Sequence, residues 1–477
     1  MLSSAQYENL VIETQDEWDY IYTHDYRNGK NYSVGAIYDS NSTLNGFTTI
    51  TFRVYDENFQ KQIETRYTDS AHQYTGFYGL EYHKYHYYHC GTKGVYPNFD
   101  TLKGFVIKYD TLGNVIWEKN YYSNDEDVRI NFMASDDSLV YLLTNIYNPS
   151  TTGEIKTVLT AIDSSGTVMW DKDFSGLFQK AKSLRLTSDG GFLISVSSAV
   201  TGNVTKTIVY KLDSLHNTLW SKTLGPATED HYLQFFEMPS GNYMGVGQSE
   251  DLMSGRVQSW LVELNSVNGI IVKDTIYLFS NYLHGFSIYS DAIYRSNEMI
   301  FTGVLNEQFG DQTYKGFVTS IGYNYEVNWI RKYAIRNIDN SIFGMYEKNG
   351  FFYLQGIAKG DAATDTYDEW FLVVDSLGCD DQWCTVGIGD AMYQYSNENN
   401  VTIYPNPTSG QITFQFETYQ SNREILITDI MGKEIDRIIS NESLINYVFT
   451  KEKSGIYLVH ILNNGVLQST QKVVLQR

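Results

Sequence analysis

Proline is scarce, with 6 in 477 residues, so no Pro-rich linker or polyproline segment is present. Cysteine is scarcer still at three, too few for a disulfide framework to hold the chain together. No apolar run approaches the roughly 20 residues of a membrane-spanning helix. Positive charge is in deficit, with 35 Lys+Arg against 56 Asp+Glu and a net charge of −21. The deficit is uneven. Residues 399–477 hold seven Lys+Arg and seven Asp+Glu, which leaves 28 against 49 on residues 1–398. Such a surface repels a phosphate backbone, so nucleic acid is excluded as a partner. The G-x-S-x-G elbow, the H-E-x-x-H helix and the P-loop are all missing. The opening residues MLSSAQYENL lack the basic start and apolar stretch of a signal peptide.

What the chain has in abundance is aromatic side chains, 40 Tyr and 24 Phe, as a large β surface requires. They fall into a repeat. Residues 157–176, TVLTAIDSSGTVMWDKDFSG, read as strand, tight turn, strand, and similar hairpins occupy 104–121 and 207–225. Weaker copies lie at 46–67, 259–278, 316–334 and 368–384. Aligned on the first turn residue, these are Asp56, Asp110, Asp163, Asp213, Asn265, Gly322 and Asp375, spaced 50 to 57 residues apart. Seven positions later stand Trp117, Trp170, Trp220 and Trp329 in four of the copies. A turn followed by an apolar run precedes each hairpin, as in DGGFLISVS (189–197), and these also number seven. Four short strands per unit of about fifty residues is the blade of a propeller. The expected fold is therefore all-β: a seven-bladed β-propeller over 1–394, a polar linker at 395–400, and a small Ig-like β-sandwich over 401–477. The tryptophans are expected to pack between blades.

The last unit lacks a good fourth strand, whereas residues 6–14 have strand character before the first complete unit. The N-terminal strand is expected to complete the last blade against 370–374, removing an open sheet edge. Cys379 and Cys384 lie five apart in a polar loop, where a local disulfide is expected. Two thiols without a spaced partner pair make a metal site the weaker reading. Cys90, among aromatic neighbours, reads as an unpaired core thiol.

From residue 401 the pattern changes: tryptophan, present eight times before, disappears. Strands are expected at 401–404, 411–416, 424–429, 444–449, 455–462 and 468–475. This segment closely resembles the type A C-terminal sorting domain of proteins exported by the type IX secretion system of Bacteroidota. The residues that carry the resemblance are the YPNPTSG turn (Tyr404, Pro405, Asn406, Pro407, Gly410), the Asp429…Gly432 turn, Gly455 and Tyr457 in SGIYLV, and Lys472 in QKVV. The resemblance implies an inner-membrane signal peptide upstream, export to the cell surface or medium, and the outer-membrane secretion machinery as a partner. The ring likewise resembles propellers fused to such domains, in DGGF (189–192), LDSLHNTLW (212–220) and the DSLGC…C ending (375–384). That likeness implies fold and secretion, and no defined activity.

Chemistry is thinly marked. The Asp163–Trp170 hairpin resembles a quinoprotein docking repeat, but the step from Asp to Trp is one residue short. His83, His86, His89 and Cys90 alternate faces on a strand and so do not converge; a His/Tyr-rich strand and loop surface is the expectation. No catalytic residue and no cofactor are expected. The acidic stretches at 125–127, 136–137 and 361–365 could hold calcium on loops, but none has the alternating spacing of a dedicated calcium loop, and solvated turns are the preferred reading. The preferred reading is a monomeric binding or adhesion module for glycan or protein, with aromatic-rich stretches such as Tyr82–Tyr96 as stacking surfaces. The alternative is a polysaccharide-degrading glycosidase or lyase with its site at the propeller channel. Buried carboxylates with Tyr or His in the channel favour the enzyme, and an open aromatic surface favours binding.

Overall fold

A computed structural model describes residues 9–12, 18–39, 46–69, 72–95, 102–121, 126–147, 155–174, 179–200, 204–224, 229–251, 256–277, 286–306, 314–335, 339–359, 367–380, 401–416, 423–429, 433–463 and 466–477. The chain divides into two compact units, Met1–Thr385 and Val386–Arg477. The expected linker at 395–400 and Cys384 lie outside the described residues.

The first unit is built of seven four-stranded antiparallel sheets. Six follow chain order, and each is led by its innermost strand: Trp18–Arg27, Gln73–His83, Asp127–Ser135, Gln179–Leu186, Glu229–Glu237 and Phe286–Tyr294 open blades 1 to 6. Blade 7 takes Asn340–Lys348, Phe351–Lys359 and Tyr367–Asp375 from one end of the chain and Asn9–Ile12 from the other. Leu10 pairs with Phe371 and Val11 with Trp370, so the N-terminal strand is the outer strand of the last blade. Each inner strand packs on the neighbouring blade around the ring, and that of blade 7 meets that of blade 1. The ring is closed.

The strands bury what their position demands. The third strand of blade 2, Lys103–Asp110, is buried along its middle on both faces, because neighbouring blades cover both. The fourth strands of blades 3 and 4 alternate exposed and half-buried residues at the rim. The repeat's leading aspartate is structural. Asp110 Oδ1 accepts the amides of Leu112 and Asn114 at 2.9 Å, and Asp56, Asp163, Asp213 and Asp375 do the same for their own turns.

The tryptophan seven positions later reaches the same turn of the following blade. Trp117 lies against Gly166, Trp220 against Gly269 and Trp329 against Gly378. Trp170 packs on His216 with 3.9 Å between ring centroids and the planes tilted by 31°. Trp220 also donates its indole N–H to Ser266 O at 3.0 Å.

Blade 7 has no such tryptophan, and a buried polar contact closes the seam instead. The Glu369 carboxylate of blade 7 accepts Arg53 Nη1 at 2.7 Å and the Tyr55 hydroxyl, both from blade 1. Phe59 stacks on Phe371 beside them, 4.5 Å between centroids.

The second unit packs a three-stranded sheet and a four-stranded sheet, the latter in the order 434–439, 423–429, 455–463, 466–475. Its core includes Ile412, Phe414, Ile425, Ile427, Val459, Ile461 and Val473. Strand Glu434–Ile439 was not anticipated. It is an edge strand whose residues are mostly exposed, so its apolar alternation is broken by Asp436 and Arg437.

Candidate functional site

Each of the seven inner strands carries a register shift partway along, for example between Ile21 and Thr23, Ile130 and Phe132, Ala181 and Ser183, and Tyr289 and Asp291. A bulge re-aims the side chains that follow it. Those side chains, Thr23 and His24 in blade 1, Phe132 and Met133 in blade 3, Ser183 to Arg185 in blade 4, line a central channel cavity of about 300 Å³. Glu81, Gln234 and Phe343 complete its wall.

The channel is polar and electrostatically uneven. Burial holds the Glu81 carboxyl up at about 7, with Asp25 adding to the rise and a hydrogen bond from Ser135 Oγ (2.7 Å) opposing it. Burial likewise raises Asp291, although its carboxylate accepts the amides of Ala292 at 2.8 Å and Met345 at 3.0 Å. His24 is pushed down by burial, against the attraction of Asp291 and Asp25. It is therefore neutral at pH 7. Asp25 in turn accepts Arg27 Nε at 3.3 Å and the Tyr87 hydroxyl at 3.2 Å. Of these groups the Glu81 carboxyl and the His24 imidazole line the cavity itself, and the two can donate and accept protons.

A second cavity, about 610 Å³, opens at the seam between blades 5 and 6. It is lined by Met238, Pro239 and Ser240 from one turn, by Tyr294, Arg295 and Ser296 from another, and by Glu263, Tyr323 and Tyr325. Its tyrosines are held in place. Tyr325 donates to the Glu263 carboxylate, and Glu263 also accepts Asn242 Nδ2 at 2.6 Å. Tyr323 donates to Arg295 O at 2.8 Å, and Tyr277 donates to Tyr325 O at 2.9 Å. Burial raises the hydroxyl pKa of Tyr294 and Tyr325. The Arg295 guanidinium is fixed between Glu298 (3.0 Å) and Glu347 (2.9 Å). Fixed aromatic faces beside a carboxylate form a stacking and hydrogen-bonding surface.

The Tyr82–Tyr96 stretch is not the exposed aromatic loop that was expected. Its described part, up to Val95, is a hairpin whose second strand is sandwiched: Tyr87, Tyr88, His89 and Cys90 are all 0% exposed, whereas Tyr85 at the turn is 80% exposed. The sandwiching of that strand between blades overrides its polar look. The three histidines go separate ways: His83 packs on Tyr88, His86 bonds Lys84 O, and His89 packs on Phe105. Of the acidic stretches, Asp136 caps its own turn at Ser138 and Leu139, and Asp127 accepts the Leu102 amide; residues 361–365 lie outside the described residues. Cys379 is disulfide-bonded and Cys90 is a buried free thiol.

In the second unit the YPNPTSG turn fastens the last strand. Asn406 Nδ2 donates to Lys472 O at 2.6 Å, and Asn406 Oδ1 accepts the Val474 amide at 2.9 Å. Thr408 adds two backbone bonds, its amide to Val474 O and its carbonyl from Gln476 N. Tyr404 is half-exposed and donates to Gln415, and Gly410 O receives the Phe449 amide. Pro405 and Pro407 fix the turn around Asn406, both after cis peptide bonds. Asp429 closes a turn on Lys433, whereas Gly432 lies outside the described residues. Gly455 opens the strand in which buried Tyr457 donates to Lys453 O at 2.8 Å.

Residues 402–476 match the secretion system C-terminal sorting domain. No curated protein matches the chain. Among solved structures, PorZ, a surface component of the type-IX secretion system of Porphyromonas gingivalis, aligns at 12% identity over 96% of this chain, with a TM-score of 0.39. The chain spans 59% of the length of PorZ. The propeller domain of the Trilobed protease from Pyrococcus furiosus aligns at 9% identity, covering 78% of this chain and all of that one, with a TM-score of 0.44. Polysaccharide lyase Uly1 aligns at 9% identity over 74% of this chain and 89% of its own, with a TM-score of 0.48. At these levels none of the three informs the site. The sorting domain marks the chain for export to the cell surface or the medium by the type IX system. No helix among the described residues is long and apolar enough to cross a membrane.

Proposed function

We propose that this chain, delivered outside the cell by its type IX sorting domain, is a binding module that holds a glycan or protein in the tyrosine-lined cleft between blades 5 and 6. The observation that carries the reading is pre-positioning. Tyr323 and Tyr325 are hydrogen-bonded in place around an open cavity before any ligand arrives, which removes part of the ordering cost of binding. Aromatic faces beside a carboxylate and backbone carbonyls suit sugar rings or a protein side chain equally.

One observation favours a second reading. Glu81, with its pKa near 7, shares the channel with neutral His24, and an acid tuned to the working pH is what a glycosidase or lyase needs. One experiment separates the two: the full chain on a glycan and polysaccharide array, scored for both retention and product release. Retention without new reducing ends or unsaturated products supports binding. Breakdown abolished by Glu81→Gln supports the enzyme.

A further inference from the structure

The channel is separate from the cleft, and what lines it points to a ligand of its own. Two groups there stand without a polar partner among the described residues. His24 faces the cavity, packed against Gly344, and makes no hydrogen bond. Arg185, from blade 4, makes neither ion pair nor hydrogen bond; its guanidinium rests 4.7 Å from the Phe236 ring centroid. Its charge favours the ionised forms of Glu81 in blade 2 and of Asp291 and Tyr294 in blade 6. A cation so placed, held by a ring and left with its donor fork open, is an acceptor site for a planar anion.

Thr23 and Gln234, also on the wall, keep side-chain donors and acceptors that no other described residue engages. Below pH 7 the Glu81 carboxyl adds an O–H donor. The nearby Asp25 and Asp291 carboxylates disfavour a doubly charged anion. About 300 Å³ is at the small end of ligand cavities and suits one ring, not an extended chain.

We propose that the channel binds one hydroxylated carboxylate of sugar-ring size, an acidic monosaccharide or the acidic end residue of a longer glycan. Arg185 pairs with the carboxylate, and Thr23, Gln234 and His24 bond the hydroxyls.

The test is isothermal titration of the full chain with D-glucuronate, tetraglucuronate, D-glucose and inorganic sulfate. Glucuronate is expected to bind, with glucose and sulfate about tenfold weaker or worse. Arg185→Gln should weaken glucuronate about tenfold or more, while Arg185→Lys, which keeps the charge and loses the fork, should fall between. Equal affinity for glucuronate and tetraglucuronate identifies an end residue as an acceptable source; preference for the monomer identifies the free acid. No glucuronate binding at about 10 mM, an unchanged affinity in Arg185→Gln, tighter binding of sulfate, or binding of the tetramer alone would each overturn the proposal. Tyr323→Ala, in the cleft, should leave glucuronate binding intact, so failure here and failure of the cleft reading are told apart. Thermal melts of each variant confirm folding, and if Arg185→Gln does not fold, the Lys variant carries the comparison.

Discussion

Trp220 of blade 4 lies flat against Gly269 in the turn of blade 5: a Cβ on that glycine would stand 2.6 Å from indole Cε3. The glycine's φ of +68° is a left-handed conformation that other residues adopt at a cost. Two demands, backbone and packing, therefore meet at one position. The same relation recurs between Trp117 and Gly166 and between Trp329 and Gly378, so blades 2, 4 and 6 are each keyed to the next in the same way.

Gly269→Ala should cost about 2–4 kcal/mol, combining left-handed strain with overpacking. Gly241 is the control, because its φ is +85° yet nothing lies within 4 Å of a Cβ there. Gly241→Ala should cost only about 1 kcal/mol. Chemical denaturation of both variants checks the difference, and equal costs would deny the tryptophan's role.

The Glu369–Arg53 pair at the closing seam is about 1–2% exposed on both sides. Glu369→Leu removes the buried acceptor of Arg53 Nη1, Ser33 and Tyr55, leaving Arg53 its contact with Glu64 at 3.2 Å, and should cost about 3–5 kcal/mol. Replacing both, as Glu369→Leu with Arg53→Met, should recover most of that loss. A double-mutant cycle by denaturant unfolding reads the coupling; additive losses would mean that the pair does not close the ring.

The buried Glu81 carboxyl makes a pH prediction with a definite sign. Its folded pKa of about 7 lies above the ordinary value of 4.5, so the folded state binds more protons between those limits. Stability held below pH 4.5 is then lost as pH rises toward 7. Asp25, Arg27, Ser135 and Arg185 face the same carboxyl and remain unchanged in Glu81→Gln. That variant should melt higher than the parent at pH 8, with the gap closing toward pH 4.5. Parallel melting curves would contradict the assignment.

Asn406→Ala removes two hydrogen bonds to the last strand and should destabilise the sorting domain by about 1–2 kcal/mol. Limited proteolysis of the full chain should then release the C-terminal domain earlier, with the ring fragment's stability unaltered. Equal protection of wild type and variant would show that the turn does not fasten the strand.

Much of the ring is legible in the residues because its repeat is local. Asp110 and its counterparts recur since their carboxylates must accept amides two and four positions on. The missing fourth strand after Asp375 points to the N-terminal strand that supplies it. The sites are not legible, because they are assembled across blades. Glu263, Arg295 and Tyr325 are far apart in sequence and meet only when blades 5 and 6 pack. The inner-strand bulges that aim His24 and Ser183 have no residue signature. The Tyr87–Cys90 segment misleads for the same reason, since its burial is imposed by blades that its own sequence does not mention.

The central functional claim rests on the cleft, and the most direct test is titration of the array-selected ligand into wild type, Tyr323→Ala and Tyr325→Leu. The expected result is loss of about tenfold or more in affinity for both variants, with thermal stability close to wild type for Tyr323→Ala. Undiminished affinity in both variants, with a folded ring, would contradict the account.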